Sequence, residues 1–356
     1  MNPYSEIKVF HHHNALQLCD KGVPIAPIYI RLKPTNICNH HCSYCTYGSG
    51  NTFQKTNNRD GINHRDVIPW EKMREIINDM GDMGVKAVTL SGGGEPLTYP
   101  SIVETMELFD QNNIDTSLIS NGELLDGEVA QKFYNSSWVR ISFDSPVREE
   151  YCELRGVSPE RFERVITNIS SFAEHKSKEC VLGINYVVNK WNYNHVYLAA
   201  DMLKSLGVDN VKFAAVSDNS PGYHNQIKDE VIKQIHDAKE KLEDDAFCII
   251  NNYENDWMDK NLAAPDLENC YTCKFVTVIA ADQKIYLCHT RAYDSRAVVA
   301  DLKEGSLKEL WFSDDVQNKL QNINPKINCK NYCAYESRNK LLQAYYDADN
   351  NQVNFI

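Results

Sequence analysis

No stretch of the chain approaches the roughly 20 consecutive apolar residues that a membrane-spanning helix needs. The amino terminus, "MNPYSEIKVFHHHNALQLCD", also lacks the basic start and apolar run of a secretory signal peptide. These two absences lead us to expect a cytoplasmic protein with no membrane partner. Positive charge is scarce as well. Lys and Arg number 37 against 49 Asp and Glu, a formal net charge of −12. Nucleic-acid binders present a basic surface, so nucleic acid is not an expected partner. Neither an internal repeat nor a low-complexity tract is present.

What is there reads as an ordinary globular composition, 42% hydrophobic and 24% charged over 356 residues, a length that suggests two modules. From "APIYIRL" onward short apolar runs alternate with amphipathic stretches. "VKAVTLSG", "IDTSLISNG", "WVRISFDS", "ECVLGINYVVN" and "VDNVKFAAVS" read as further strands. "WEKMREIINDMGDMG", "YPSIVETMELFDQNN", "LLDGEVAQKFYNS", "PERFERVITNISSFAEHK" and "NYNHVYLAADMLKSLG" read as the helices between them. This alternation predicts βαβ units and a parallel sheet. Six units are too few to close an eight-unit barrel, so the expected fold is α/β, an open, partial (β/α)6 TIM barrel followed by a small α+β domain. The expected boundaries are an amino-terminal segment 1–27, the barrel 28–225, a linker helix within 226–262 and the small domain 263–356.

The twelve cysteines are unevenly spread. In a reducing compartment they read as metal ligands or free thiols before disulfides. "CNHHCSYC" follows directly on the first strand and places Cys38, Cys42 and Cys45 at x3 and x2 spacings. Three thiolates from one short loop can hold three corners of a 4Fe–4S cluster and leave the fourth iron open. Zinc sites draw their ligands from two separated pairs, although His40 or His41 could add a fourth. We expect those histidines to be solvated loop residues.

The same eight residues resemble the radical SAM motif, Cx3Cx2C with an aromatic, Tyr44, before the last cysteine. That resemblance implies a 4Fe–4S cluster whose open iron binds S-adenosylmethionine and cleaves it reductively to a 5′-deoxyadenosyl radical. It also implies an electron donor such as a flavodoxin or ferredoxin. "SGGGEP" resembles the family's turn for the methionine amino group, which assigns that role to Gly92, Gly93, Gly94 and Glu95. "ISNG" and "ISFDS" resemble segments that contact the ribose and methionine, giving Ser120, Asn121, Ser142 and Asp144. "YCELRG" resembles the segment whose arginine pairs with the carboxylate of S-adenosylmethionine, giving Arg155. The alternative reading of Arg155 is a surface ion pair.

Five further cysteines lie near the carboxyl end, in "CYTCKFVTVIAADQKIYLC" and, after "SLKELWFSD", in "CKNYC". This arrangement resembles the SPASM/Twitch extension of radical SAM enzymes, a β-hairpin and helix that bind auxiliary clusters. Five cysteines are too few for a full two-cluster SPASM domain, so Twitch is the better label, with one auxiliary 4Fe–4S cluster. The resemblance implies Cys273, Cys288, Cys329 and Cys333 as ligands, with Cys270 the doubtful member. In the hairpin turn the family has glycine where this chain has Gln283. Two alternatives stay open: an open-iron cluster on Cys270, Cys273 and Cys288, which resembles the molybdenum-cofactor GTP cyclase, and a zinc ribbon on Cys270, Cys273, Cys329 and Cys333. Cys152 and Cys180 lie in the barrel region without a supporting motif, so the catalytic hydrogen donor stays unassigned.

Peptide-modifying members of the family carry an amino-terminal recognition domain, for which the residues ahead of the first strand are too few. The expected substrate is therefore a small polar molecule such as a sugar or sugar nucleotide, to be oxidised, epimerised or subjected to elimination. The alternatives are a ribosomal peptide or protein substrate and, more remotely, a non-enzymatic iron–sulfur or zinc protein.

Overall fold

A computed structural model describes residues 5–48, 62–216, 222–254, 265–329 and 333–348. Its backbone is organised by one ten-stranded sheet. The strands are β1 (Tyr29–Leu32), β2 (Ala87–Leu90), β3 (Asp115–Ser120), β4 (Trp138–Ser142), β5 (Val181–Val188), β6 (Asn210–Ala215), β7 (Cys248–Asn251), β8 (Val276–Ile279), β9 (Lys284–Tyr286) and β10 (Val298–Asp301). β1 to β7 are parallel and adjacent in chain order. Helices connect them and cover one face, burying a single main apolar core. This is the open α/β barrel anticipated from the alternation of short apolar runs with helical stretches.

The helix Trp70–Met83 shows the local logic. Met73, Ile76, Ile77 and Met80 recur at helical spacing and are buried. It stops at Gly84, whose φ of 79° suits a residue without a Cβ.

Two features differ from the expected layout. The segment expected to be a linker, 226–262, carries the helix Lys228–Leu242 and then β7, which pairs with β6 in parallel. The barrel sheet is thus one strand longer than the six read from the sequence. At the opposite edge β8 pairs in parallel with β1 and antiparallel with β9, which pairs with β10. The carboxyl-terminal hairpin therefore extends the barrel sheet. The helix Leu307–Trp311, started by a capping box of Ser306 and Glu309, ties that region to the barrel. Its Lys308 backbone N–H donates to Asp79 at 2.9 Å, and the Trp311 indole donates to the Ile25 carbonyl at 2.8 Å.

The hairpin turn contains the departure noted at Gln283. Its backbone N–H donates to the Ala280 carbonyl at 2.9 Å, and Ala280 N–H donates to Lys284 at 3.0 Å. Gln283 has φ 65°, the left-handed region where such a loop ordinarily has glycine.

No helix of the described residues is long and apolar enough to cross a membrane.

Candidate functional site

The loop after β1 carries Cys38, Cys42 and Cys45. Cys38 is exposed, and Cys42 and Cys45 are half-buried. The loop lies on the end of the helix Arg148–Arg155, where the backbone N–H groups of His41 and Ser43 donate to the carbonyls of Arg155 and Leu154, each at 2.9 Å. Cys45 N–H donates to Cys42 at 3.2 Å, and His40 N–H points at the Cys38 sulfur at 3.4 Å.

Three buried carboxylates hold this loop to its surroundings. Asp144, at the end of β4, accepts from the Tyr44 hydroxyl and ion-pairs with Arg155, and it takes the Val187 N–H at 3.1 Å. Arg155 is only 4% exposed and reaches the Cys42 sulfur at 3.7 Å. Of the two readings of Arg155, the surface ion pair is corrected: the pair exists but is buried beside the cysteine loop. Arg155 Nε is buried and has no hydrogen-bond partner among the described residues.

Glu95 ties the glycine turn to the end of β3. Its carboxylate accepts from Ser120 Oγ at 2.8 Å, Leu97 N–H at 3.0 Å and Asn121 N–H at 2.7 Å. Burial pushes its pKa up, and these three donors partly offset that rise. Asn121 in turn donates to the Asn39 side chain at 2.7 Å. Ser120, Asn121 and Glu95 are thus occupied with one another and with the cysteine loop. Ser142 is half-buried at the end of β4, in register with Asn185. The glycines allow close packing within the protein. A Cβ on Gly94 would strike the backbone of Asn36 and Ile37, and one on Gly93 would strike the side chains of Asn36 and Tyr293. Gly92 offers its carbonyl to Lys33 Nζ at 2.9 Å, and a Cβ there would strike the Gly94 backbone.

The third carboxylate, Glu123, escaped the sequence reading. It accepts from His40 Nε2 at 2.8 Å and Asn39 Nδ2 at 3.0 Å, with Arg161 and Arg164 at 3.3 and 3.4 Å. His40 is therefore not a solvated loop residue. It is buried, and burial together with Arg155 and Arg161 holds its pKa far below the usual imidazole value. His41, by contrast, is exposed. The one available signal for Glu123 was its position directly after "ISNG".

Among the described residues no three His, Cys, Asp or Glu side chains stand close enough to hold a single metal ion. A four-iron cluster sets its thiolates farther apart, and three cysteines on one loop suit it. Burial pushes the Cys42 thiol up to about 11, with Arg155 pulling against it. The donor set, the buried unpartnered Arg155 Nε and an equally unpartnered buried Ser91 Oγ ahead of Gly92 fit a cluster with a polar ligand beside it.

The second group of cysteines gathers around Cys270. Burial raises the thiols of Cys288, Cys329 and Cys333, with Cys270 adding to each, and Cys270 itself is raised first by its contact with Cys273. Cys273 is 1% exposed in the main core, its thiol directed to the carbonyls of Cys270 at 3.0 Å and Leu320 at 3.8 Å. Residues 330–332 of "CKNYC" lie outside the described residues. Cys180 is buried in the core and Cys152 packs against it from the helix Arg148–Arg155.

A parallel α/β barrel with a three-cysteine loop at the end of its first strand defines a class. Residues 32–203 match the Radical SAM superfamily, and that stretch of the chain is a radical SAM domain. The chain is similar to the AdoMet-dependent heme synthase of Methanosarcina barkeri, 25% identical over 184 residues, covering 51% of this chain and 48% of the relative. It is also similar to a probable GTP 3′,8-cyclase of Methanocaldococcus jannaschii, 24% identical over 304 residues, 82% of this chain and 94% of the relative. The chain spans about half the length of several curated relatives it matches. Among solved structures, Streptococcus suis SuiB bound to S-adenosylmethionine shares the fold, with a TM-score of 0.61 and 20% identity over 90% of this chain and 74% of that one.

Proposed function

We propose that the protein is a radical SAM enzyme that cleaves S-adenosylmethionine reductively and abstracts hydrogen from a small polar substrate. The observation that carries this reading is the cysteine loop itself, three thiols fixed to the barrel by buried Asp144, Glu95 and Glu123. Cys38, Cys42 and Cys45 would hold a 4Fe–4S cluster, which with bound S-adenosylmethionine supplies a 5′-deoxyadenosyl radical. Arg155 keeps a free Nε for the carboxylate of that ligand while its other nitrogens face Asp144 and Cys42. The turn at Gly92, Gly93 and Gly94 offers backbone to the amino group. Glu95, Ser120 and Asn121 position that turn against the loop, and we assign Ser142, at the end of β4, to the same ligand.

We assign the carboxyl-terminal cysteines to a Twitch-like auxiliary 4Fe–4S cluster, with Cys270, Cys288, Cys329 and Cys333 as its ligands and Cys273 as core. This reverses the expected ranking of Cys270 and Cys273 and rests on burial: Cys273 is 1% exposed in the main core, against which Cys270 packs half-buried. Among small substrates, a nucleotide has the support of the cyclase relative's name. Neither curated relative described above is named for a sugar. An external one-electron donor, a flavodoxin or ferredoxin, completes the scheme. Anaerobically reconstituted, dithionite-reduced protein should convert S-adenosylmethionine to 5′-deoxyadenosine and methionine. Absence of both products from protein holding its full iron would refute the reading.

A further inference from the structure

Tyr293, in the connection between β9 and β10, has a backbone conformation that its own side chain opposes. Its φ is 68°, in the left-handed region where a Cβ crowds the following carbonyl. Such strain persists only where the surrounding structure holds it, and it clusters at binding sites. Here Asp294 holds it. The Asp294 carboxylate is 1% exposed, accepts from Arg296 Nε at 3.0 Å and pairs with Arg291 at 2.6 Å. The turn follows Cys288, whose carbonyl accepts from the Arg291 N–H at 3.2 Å.

The held turn directs Tyr293 toward the barrel. Its ring is buried beside Val278, Tyr286 and Ala297 and meets Tyr47 of the first cysteine loop edge-on, with ring centres 6.1 Å apart. Its hydroxyl donates to Asn36 Oδ1. Asn36 Nδ2 donates to the Asn63 carbonyl at 2.9 Å, which leaves the amide oxygen for the tyrosine. Asn36 lies in the middle of the segment that carries the glycine turn. The carbonyls on either side of it, Thr35 and Ile37, accept from the N–H groups of Gly94 and Glu95 at 3.3 and 2.9 Å. Cys38 comes two residues later. A Cβ on Gly93 would strike both Asn36 and the Tyr293 hydroxyl, so turn, amide and tyrosine pack with no room for a methyl group.

We propose that Tyr293 is a positioning residue for S-adenosylmethionine. Reaching from the carboxyl-terminal region, it fixes Asn36 and through it the turn from Gly92 to Glu95 that receives the methionine end of the ligand. The inference rests on the reading of that turn given above. It makes the ligand site depend on the carboxyl-terminal region as well as on the barrel. A tyrosine that only docked the hairpin would need neither a strained backbone nor a partner two residues from a cysteine. Tyr286 is of that plainer kind. Its ring centre lies 5.8 Å from that of Tyr293, and its hydroxyl donates to Asp282 at 2.6 Å within the hairpin.

Calorimetric binding of S-adenosylmethionine to the anaerobically reconstituted holoprotein, without reductant so that no cleavage occurs, tests the proposal. Tyr293→Phe keeps the ring and removes the hydroxyl. It should weaken binding roughly fivefold, the size of one lost hydrogen bond, with iron content unchanged. Tyr286→Phe removes a hydroxyl from the same apolar cluster and serves as the control. It should lower Tm and keep wild-type affinity. Wild-type affinity in Tyr293→Phe, whatever its Tm, would overturn the role of Tyr293. So would an equal loss of affinity in Tyr286→Phe, or a loss in Tyr293→Phe that only follows a loss of iron. Wild-type holoprotein that fails to bind S-adenosylmethionine would instead fault the radical SAM reading itself, and the inference with it.

Discussion

Replacing Glu123 by alanine should loosen the cysteine loop without touching a cysteine. The magnitude follows from which of its partners are buried. The side chains of Glu123 and His40 are 2% and 1% exposed, and Asn39 donates to the same carboxylate oxygen as His40. A carboxylate only accepts, so the neutral His40 presents Nε2–H to it. Hydrogen bonds to a buried charge contribute roughly 1.5–3 kcal/mol each, and the alanine variant leaves the His40 N–H without a partner. Arg161 and Arg164, 35% and 52% exposed, add about 0–1 kcal/mol each. We therefore expect Glu123→Ala to cost about 3–5 kcal/mol. Glu123→Gln keeps an acceptor toward His40 and Asn39 and gives up the arginine side, about 1 kcal/mol. In an anaerobic melt of the holoprotein, at roughly 2 °C per kcal/mol, alanine should lower Tm by about 6–10 °C and glutamine by about 2 °C. The alanine variant should also reconstitute less iron. Wild-type melting and iron content in Glu123→Ala would refute the clamp, and equal losses in both variants would move its weight to the arginines.

Gln283→Gly should stabilise the hairpin by about 0.5–1 kcal/mol, since relief of the left-handed strain exceeds glycine's entropic cost; a lowered Tm would contradict this. Cys270→Ala should lower the iron of the second cluster, whereas Cys273→Ala should keep it and lose stability by emptying a core position; the opposite pattern in iron quantification would restore the ranking read from the sequence. Lys212 is depressed to about 7 in the fold against an ordinary value of about 10.4, so the unfolded chain holds the extra proton between those limits. Its contribution therefore rises with pH across that window. Lys212→Met should be more stable than wild type at pH 7, and the difference should shrink toward pH 10. A difference independent of pH would show that Lys212 keeps an ordinary pKa.

Much of the barrel was legible because its strands and helices have strong, separate periods. "WEKMREIINDMG" buries one helical stripe, and the apolar runs from "VKAVTLSG" to "VDNVKFAAVS" each supply a strand. β7 was missed because "CIIN" is four residues long and partly exposed, too short to show a period. The docking of β8 on β1 was not legible either. Alternation along "VTVI" says that it pairs and leaves the partner unspecified, which depends on contacts nearly 250 residues apart. The site divides the same way. Cys38, Cys42 and Cys45 are local in sequence and could be read together. Glu123, Asp144 and Arg155 meet the cysteine loop only through tertiary contact, so the resemblance could name Asp144 and Arg155 without showing that they pair, and the buried His40 read as a solvated loop residue. Cys273 lies on the short helix Thr272–Phe275 and Cys270 ahead of it, so the two differ in burial, and spacing carries no trace of that.

The electron paramagnetic resonance spectrum of the dithionite-reduced holoprotein, recorded with and without S-adenosylmethionine, tests the central claim most directly. If Cys38, Cys42 and Cys45 hold a four-iron cluster with one open iron, the reduced-cluster signal should change on addition of S-adenosylmethionine. In the variant with all three cysteines replaced by alanine, that signal should be absent, and only the signal of the second cluster should remain, insensitive to the ligand. A spectrum unmoved by S-adenosylmethionine in wild type, or an S-adenosylmethionine-sensitive signal that survives the triple replacement, would contradict the account.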